Sequence, residues 1–368
     1  MSCEGTTGVG RFGTRENNPV AQNALNIGLL GCGAIAQFAH LPALARTHRA
    51  RLVALCDAAE DLLQTVGRKY GVVRLHTCYD GLLADDEVQA VLIAVPDAMH
   101  VPLAVRALYA GKHVLVEKPL GANSAECVQL VRMVRETGLV LQVGSMKRHD
   151  PGLAFARQFV HDRAGDVLSV SGVYRDTTFR SAMQESCLDR LLVSEHAVKP
   201  PDPKANPQHY HLFTQGAHLF DSIRYLAGDI TAVYAQMAVR SGQFSWHGLL
   251  EFDDGARGHF ELTCKACSDW REEYTVNGEH GSVAVQVSLP FYHRPAIARA
   301  FDGRIQQWSQ PLGGYSNAYV NQLEAFAAAV LDGQLAHPDV RDGLAVMRIL
   351  EAVEKAVVAC TRIEVDSH

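Results

Sequence analysis

Asn26-Ile27-Gly28-Leu29-Leu30 runs directly into Gly31-Cys32-Gly33-Ala34-Ile35-Ala36, and Asp57 closes the next apolar run 21 residues beyond Ala36. A β-rich run ending in G-x-G-x-x-A is the turn from a strand into a helix that receives a dinucleotide. Gly31 allows the tight turn, Gly33 lets backbone amides approach a pyrophosphate, and Ala36 lets the helix pack closely on the strand. Ala34 and Ile35 open that helix, whose N-terminal amides face the phosphates. A carboxylate at Asp57 accepts hydrogen bonds from ribose hydroxyls and repels a 2′-phosphate, so the expected cofactor is NAD and not NADP.

Outward from this turn the chain alternates short apolar runs with helix-compatible stretches: Arg51–Cys56, Ala90–Val95, His113–Val116 and Leu139–Val143 follow in order. Such alternation builds a parallel sheet covered by helices on both faces. After Pro151 strand-like segments follow one another with little helix between them, at Val167–Arg175, Thr231–Val239, Gly248–Phe252, Ala256–Thr263, Glu273–Val276 and Ser282–Val287. That is the pattern of a mostly antiparallel sheet. Two helices are expected to close the chain, Tyr319–Leu331 and Val340–Ala359, the second with Leu344, Met347, Leu350, Val353 and Val357 along one face. The expected class is therefore α/β: a Rossmann parallel sheet at 25–147, after a flexible tail at 1–24, then a second α/β domain with a large, mostly antiparallel sheet at 148–368. The stretch Asp176–His209, with Pro200, Pro201, Pro203 and Pro207 and no clear pattern, is expected to be a lid or a partner-binding arm.

Composition narrows the classes of function. At 368 residues, 48% of them hydrophobic, the chain holds material for two cores. Its 34 basic and 40 acidic residues are spread without a basic stripe, so no nucleic-acid partner is expected. No apolar run reaches the roughly 20 residues that span a bilayer, and Met1–Ala24 has no apolar signal core, so a cytoplasmic protein without a membrane partner is expected. Nine scattered cysteines fit reduced thiols. The pair Cys264 and Cys267 has no second pair or spaced histidine beside it, so no metal site is expected.

The fifth apolar run ends in Glu117-Lys118-Pro119. In an open parallel sheet the carboxyl ends of the strands face the ligand crevice, which aims Lys118 at the nicotinamide end of a bound cofactor. The run Gly111–Gly121 resembles the most characteristic stretch of the Gfo/Idh/MocA family, the glucose–fructose oxidoreductase and inositol dehydrogenase group. The resemblance extends to the Gly31–Ala36 turn, to Pro96–His100, to Met146-Lys147-Arg148-His149-Asp150 and to Gly216-Ala217-His218-Leu219-Phe220-Asp221. It implies Lys118 and His218 as the catalytic pair. The lysine would contact the substrate hydroxyl and the nicotinamide ribose, and the histidine would exchange the alcohol proton. Pro96, His100 and Glu117 would join Gly31, Gly33, Ala34, Ile35, Asp57 and Lys118 around NAD. It also implies a homodimer or homotetramer, and a carbohydrate or cyclitol as the partner molecule.

One position departs from the family pattern. Inositol dehydrogenases carry an aspartate four residues before this histidine, and here Thr214 stands in its place. Either His218 works with a lower pKa, or another group assists it, such as His211 or a carboxylate from Asp176–His209. Arg148, in a run similar to the Met-Arg-Arg-Tyr-Asp of inositol dehydrogenases, is expected either to reach substrate or to form an interdomain salt bridge; Asp221 is read as structural. The activity implied is NAD-dependent hydride transfer at a secondary hydroxyl of a sugar, glycoside or cyclitol. Two rivals share the scaffold: NAD-dependent glycoside cleavage through transient oxidation and elimination, and a non-enzymatic dinucleotide-sensing regulator.

Overall fold

The computed structural model describes residues 23–185, 190–197, 206–288, 294–312 and 316–366, so the tail expected at 1–24 lies almost wholly outside the described residues. The first domain opens with β1 (Leu25–Leu30), a π-turn (Ala36–His40) leading into α1 (Leu41–Leu44), β2 (Ala50–Cys56), α2 (Glu60–Tyr70), β3 (Arg74–His76) and α3 (Tyr79–Leu83). It continues through β4 (Ala90–Ile93), α4 (His100–Tyr109), β5 (His113–Glu117), α5 (Ser124–Thr137) and β6 (Leu141–Gly144). All six strands are parallel, in the order β3-β2-β1-β4-β5-β6. The order reverses between β1 and β4, and open parallel sheets bind their ligands beyond the strands' carboxyl ends at such a point. β4 is buried along its whole length, as a strand covered on both faces must be. β3 has no counterpart among the expected strands because its three residues are exposed or half-buried and form no apolar run.

The second domain follows as α6 (Pro151–Arg163), β7 (Val167–Thr177), α7 (Arg180–Glu185), α8 (Pro207–Ala227), β8 (Ile230–Arg240), β9 (Gln243–Phe252), β10 (Arg257–Ala266), β11 (Arg271–Gly278) and β12 (Gly281–Gln286). Then come β13 (Ile297–Asp302), β14 (Gln307–Ser309), α9 (Ala318–Asp332), α10 (Val340–Ala359) and β15 (Ile363–Glu364). Its nine strands pair antiparallel except β7 with β10, which run parallel. Along β7 the two-residue period turns Val170, Gly172, Tyr174 and Asp176 to one buried face. α8 lies against that face, and the contact is close: a Cβ at Gly172 would meet Ile223 Cδ1 at 2.6 Å.

Two features differ from the sequence expectation. α9 leaves the second domain and returns to the first, where Tyr319, Leu323, Phe326 and Ala327 share a core with Ile27, Leu29, Leu55 and Leu92. The stretch from Asp176 to His209 is not patternless: Asp176 and Thr177 complete β7, α7 follows, and His209 is inside α8. Its described middle part crosses to the first domain. There Gln37 accepts from the Leu192 amide (2.9 Å) and donates to the Leu192 carbonyl (2.8 Å), and Ser194 bonds Asp61 at 2.6 Å. These contacts lie on the dinucleotide side, against the glycine-turn helix and the start of α2.

Candidate active site

The glycine turn has the shape its sequence requires. Gly31 holds φ at +95°, and a Cβ there would meet the Ala94 carbonyl oxygen at 2.4 Å, so only glycine fits between β1 and β4. A Cβ at Gly33 would meet nothing within 4 Å, which leaves open space above the backbone where a pyrophosphate would lie. Ala34 and Ile35 start the helix, whose first amides have no intrahelical acceptor. Asp57 stands at the end of β2 with Oδ2 accepting from the Cys32 amide (2.8 Å) and Oδ1 from the Ala59 amide (2.9 Å). Its carboxylate is thus fixed beside the turn, and these residues fit a dinucleotide with an unphosphorylated adenosine ribose.

At the neighbouring strand ends the expected cofactor contacts divide. Pro96 is exposed at the end of β4, but His100 is fully buried, with Nδ1 against the Pro119 carbonyl (2.7 Å) and Nε2 against that of Val95 (2.9 Å). It ties the ends of β4 and β5 together and does not line the crevice. Glu117 is also buried: it pairs with His40 Nε2 at 2.8 Å and accepts from the Lys118 amide at 3.2 Å. Burial, the largest single effect, works against its charge, but the His40 hydrogen bond and the charges of His40, Lys118 and His100 together outweigh it and hold the carboxyl below the usual range. Both residues support Lys118 from behind.

Lys118 emerges from β5, partly buried, and its Nζ donates to the Thr214 carbonyl on α8 at 3.3 Å. The lysine of one domain therefore touches the helix of the other, one turn before His218. His218 is 8% exposed, and its ring stacks on Tyr174 with centroids 6.1 Å apart and planes 8° from parallel. Burial pushes the imidazole well below its ordinary pKa, and the cations Lys147, Lys118 and Arg180 push it the same way. The Lys118 ammonium is also lowered by burial, an effect opposed by Asp97, Glu117 and Asp176. Around this pair the structure brings Asp176, from the stretch whose carboxylates the sequence offered, together with groups that the sequence did not mark. Tyr174 donates to Gln215 at 2.8 Å. Arg180 lies 3.5 Å from Asp176, whose own carboxyl is raised by burial. Lys147 sits 4.8 Å from the Tyr174 ring centroid and is bound to Glu272. Asp97 accepts from the Thr214 hydroxyl at 3.4 Å. The alternation of β7 carries the signal for Tyr174 and Asp176, whereas no local pattern marks Asp97.

Three expectations are corrected or resolved here. Arg148 does not reach toward substrate: its guanidinium is buried, hydrogen-bonded to Asp221 (2.8 Å) and 3.2 Å from Asp342, so it joins the first domain's last strand to α8 and α10. Asp221 is accordingly structural. His211 packs its ring on Phe244 (5.6 Å) and Tyr210 (5.2 Å), and it is absent from the groups that shift His218. Thr214 is at the site, through its carbonyl and its hydroxyl. Among the described residues no group of three or more His, Cys, Asp or Glu side chains could hold a metal, and no helix is long and apolar enough to cross a membrane.

A Rossmann sheet with a dinucleotide turn, and a lysine and a helix histidine brought together from two domains, define a nicotinamide-dependent oxidoreductase. Residues 25–145 match the Gfo/Idh/MocA oxidoreductase family's NAD-binding Rossmann fold and residues 203–365 its C-terminal alpha/beta domain; the chain belongs to this family. It is 28% identical to inositol 2-dehydrogenase 2 of Saccharopolyspora erythraea over 343 residues, covering 89% of this chain and 91% of that protein. It is 23% identical to the levoglucosan dehydrogenase of Pseudarthrobacter phenanthrenivorans over 390 residues, covering 89% and 95%. The crystal structure of an NAD-binding oxidoreductase from Klebsiella pneumoniae shares the fold, with a TM-score of 0.79 at 20% identity over 94% of this chain and 100% of that one. The cofactor is NAD, and the relatives are dehydrogenases of sugars and cyclitols.

Proposed function

We propose that the chain catalyses reversible hydride transfer between NAD and a secondary hydroxyl of a neutral sugar, glycoside or cyclitol. The observation that carries this reading is the meeting of Lys118 with α8 one turn before a histidine whose surroundings hold it neutral. When bound, NAD supplies the hydride acceptor, held by Gly31, Gly33, Ala34, Ile35 and Asp57. The Lys118 ammonium donates a hydrogen bond to the substrate hydroxyl and stabilises the alkoxide character that grows on its oxygen. His218, neutral at working pH, takes the hydroxyl proton on an imidazole nitrogen and returns it in the reverse direction. Tyr174 holds the imidazole plane by stacking.

The charge at the site supports a neutral polyol. Lys118, Lys147 and Arg180 stand against Asp97, Glu272 and Asp176, so the formal charges cancel around a neutral imidazole. A phosphate or carboxylate on the substrate would find no surplus cation, whereas hydroxyls find both donors and acceptors. The test is steady-state NADH formation over a panel of cyclitols, free sugars and glycosides at saturating NAD. Turnover with neutral polyols, and none with their phosphates or uronates, is expected. Sugar release without net NADH would replace the reading by cleavage through transient oxidation, and no turnover with intact NAD binding would replace it by a sensing role.

A further inference from the structure

Lys118 is surrounded by charges from several elements. Asp97 lies on the short turn Asp97–Met99 after β4, Glu117 on β5, Asp176 at the end of β7 and Arg180 on α7, and each acts on its ammonium. The carboxylates among them have different commitments. Glu117 is paired with His40 at 2.8 Å, and Asp176 with Arg180 at 3.5 Å. Asp97 is bound instead to Thr214, whose hydroxyl it accepts at 3.4 Å while the carbonyl of the same residue accepts from Lys118 at 3.3 Å. Thr214 thus joins the carboxylate and the ammonium at one turn of α8, across the junction of the two domains.

We propose that Asp97 is a positioning residue of the reaction site, the counter-charge to which the Lys118 ammonium is held through Thr214. The proposal rests on the dehydrogenase reading for its catalytic consequence, but the pairing itself is a property of the protein. A site that needs a carboxylate beside its lysine can carry it on the helix or on the opposing strand end. Here the helix position is Thr214 and the strand end is Asp97, so the charge comes from the dinucleotide domain. This assigns Thr214 the task of a relay: it fixes both groups without adding a charge next to His218. Without Asp97 the ammonium faces Arg180 and Lys147 with less compensation, and its proton leaves more easily. Asp97 does not figure among the charges acting on His218, so the histidine's titration is left as it was.

The test uses the full-length protein and has one readout that needs no turnover. Trace acetylation of Lys118 by acetic anhydride, followed by peptide mass spectrometry across pH with and without NAD, reports the fraction of neutral amine. In Asp97→Asn the midpoint should fall by about one pH unit or more, a tenfold rise in labelling at a given pH below it. Asp97→Glu should stay near the parent, and Asp97→Asn combined with Thr214→Asp should return the midpoint toward it by supplying the charge from the helix. In turnover, Asp97→Asn should move the alkaline limb of the kcat profile down by the same amount while the acidic limb stays. An unmoved labelling midpoint in Asp97→Asn overturns the proposal. So does a uniform loss of kcat with both limbs in place, since that is the signature of a merely structural residue. Should Asp97→Asn not fold, Thr214→Val decides in its place, since it removes the hydroxyl that holds Asp97 and keeps the carbonyl that holds Lys118: a lowered midpoint supports the pairing, and an unmoved one refutes it. If the labelling shift is found but the parent protein reduces no NAD with any polyol, the functional reading falls and the pairing stands.

Discussion

Glu272→Gln is the substitution whose cost the structure specifies most directly. Lys147 Nζ is 2.6 Å from both carboxylate oxygens of Glu272, and the two side chains are 3% and 0% exposed. The Tyr274 hydroxyl donates to the same carboxylate at 2.6 Å. An exposed pair is worth about 0–1 kcal/mol, but removing one partner of a buried pair costs about 3–5 kcal/mol because the other charge is left uncompensated. With exposures this low the larger figure applies. In the variant the ammonium has a neutral amide in place of its counter-charge, while Tyr274 retains an acceptor. With a urea slope of about 3 kcal/mol/M, the unfolding midpoint should fall by about 1–1.7 M. The sign of the pH dependence follows from Lys147, which burial already lowers from its ordinary value and which loses its opposing charge in the variant. A lysine lowered in the folded state binds fewer protons than in the unfolded chain between the two pKa values, so stability rises with pH through that window. The deficit should therefore be largest near neutrality and shrink toward pH 10. Urea melts by tryptophan fluorescence at pH 7, 8.5 and 10 test this. Lys147→Met with Glu272→Leu should recover more than half of the loss. A deficit under about 1 kcal/mol, or one that does not change with pH, would refute the buried-pair reasoning.

Lys118→Ala and His218→Ala should each lower kcat by about 10²-fold or more with little change in NAD affinity, since both act on charge that develops during transfer; full activity in His218→Ala would remove it as the proton acceptor. NAD should bind at least tenfold more tightly than NADP, roughly 1.4 kcal/mol, and Asp57→Ser should narrow that gap, as competing titrations of the two cofactors would show. Thr214→Asp should raise the His218 pKa and carry the acidic limb of the pH–rate profile upward, and a limb that stays put would uncouple this helix position from the histidine. His149 is lowered by burial to about 4, so the unfolded chain takes up its proton first as pH falls below about 6.5. Acid melts should show stability declining from there toward pH 4, and His149→Phe should flatten that slope.

The parallel sheet was legible because its strands are continuous apolar runs, and the glycine turn because steric demands at Gly31 leave one residue type. Lys118 was legible from its place at a strand end. Asp97 was not, because nothing local distinguishes an aspartate that meets a helix more than a hundred residues away from one that caps a turn. Glu117 and His100 illustrate the converse. The motif places both beside the cofactor, whereas their side chains turn inward to His40 and to backbone carbonyls. The period of α9 marks a helix, but periodicity carries no address, and which sheet its apolar face covers is decided by tertiary packing.

The apolar core on the α5 side of the first sheet runs on through α10 into the second sheet as one cluster. Val116, Leu130 and Val143 share it with Leu344, Met347 and Leu350, and these with Tyr174, Phe220 and Leu262. A hinge would have to slide close-packed side chains past one another, and interiors of that density resist gradual deformation. The spacing between the lysine of one lobe and the histidine of the other is therefore paid for in entropy when the chain folds, ahead of any encounter with a ligand. The same continuity means that the dinucleotide module is not cleanly excised: a chain cut after residue 147 would lose Leu344, Met347 and Leu350 from one side of its core and Leu323 and Phe326 from the other, and would expose apolar surface on both flanks.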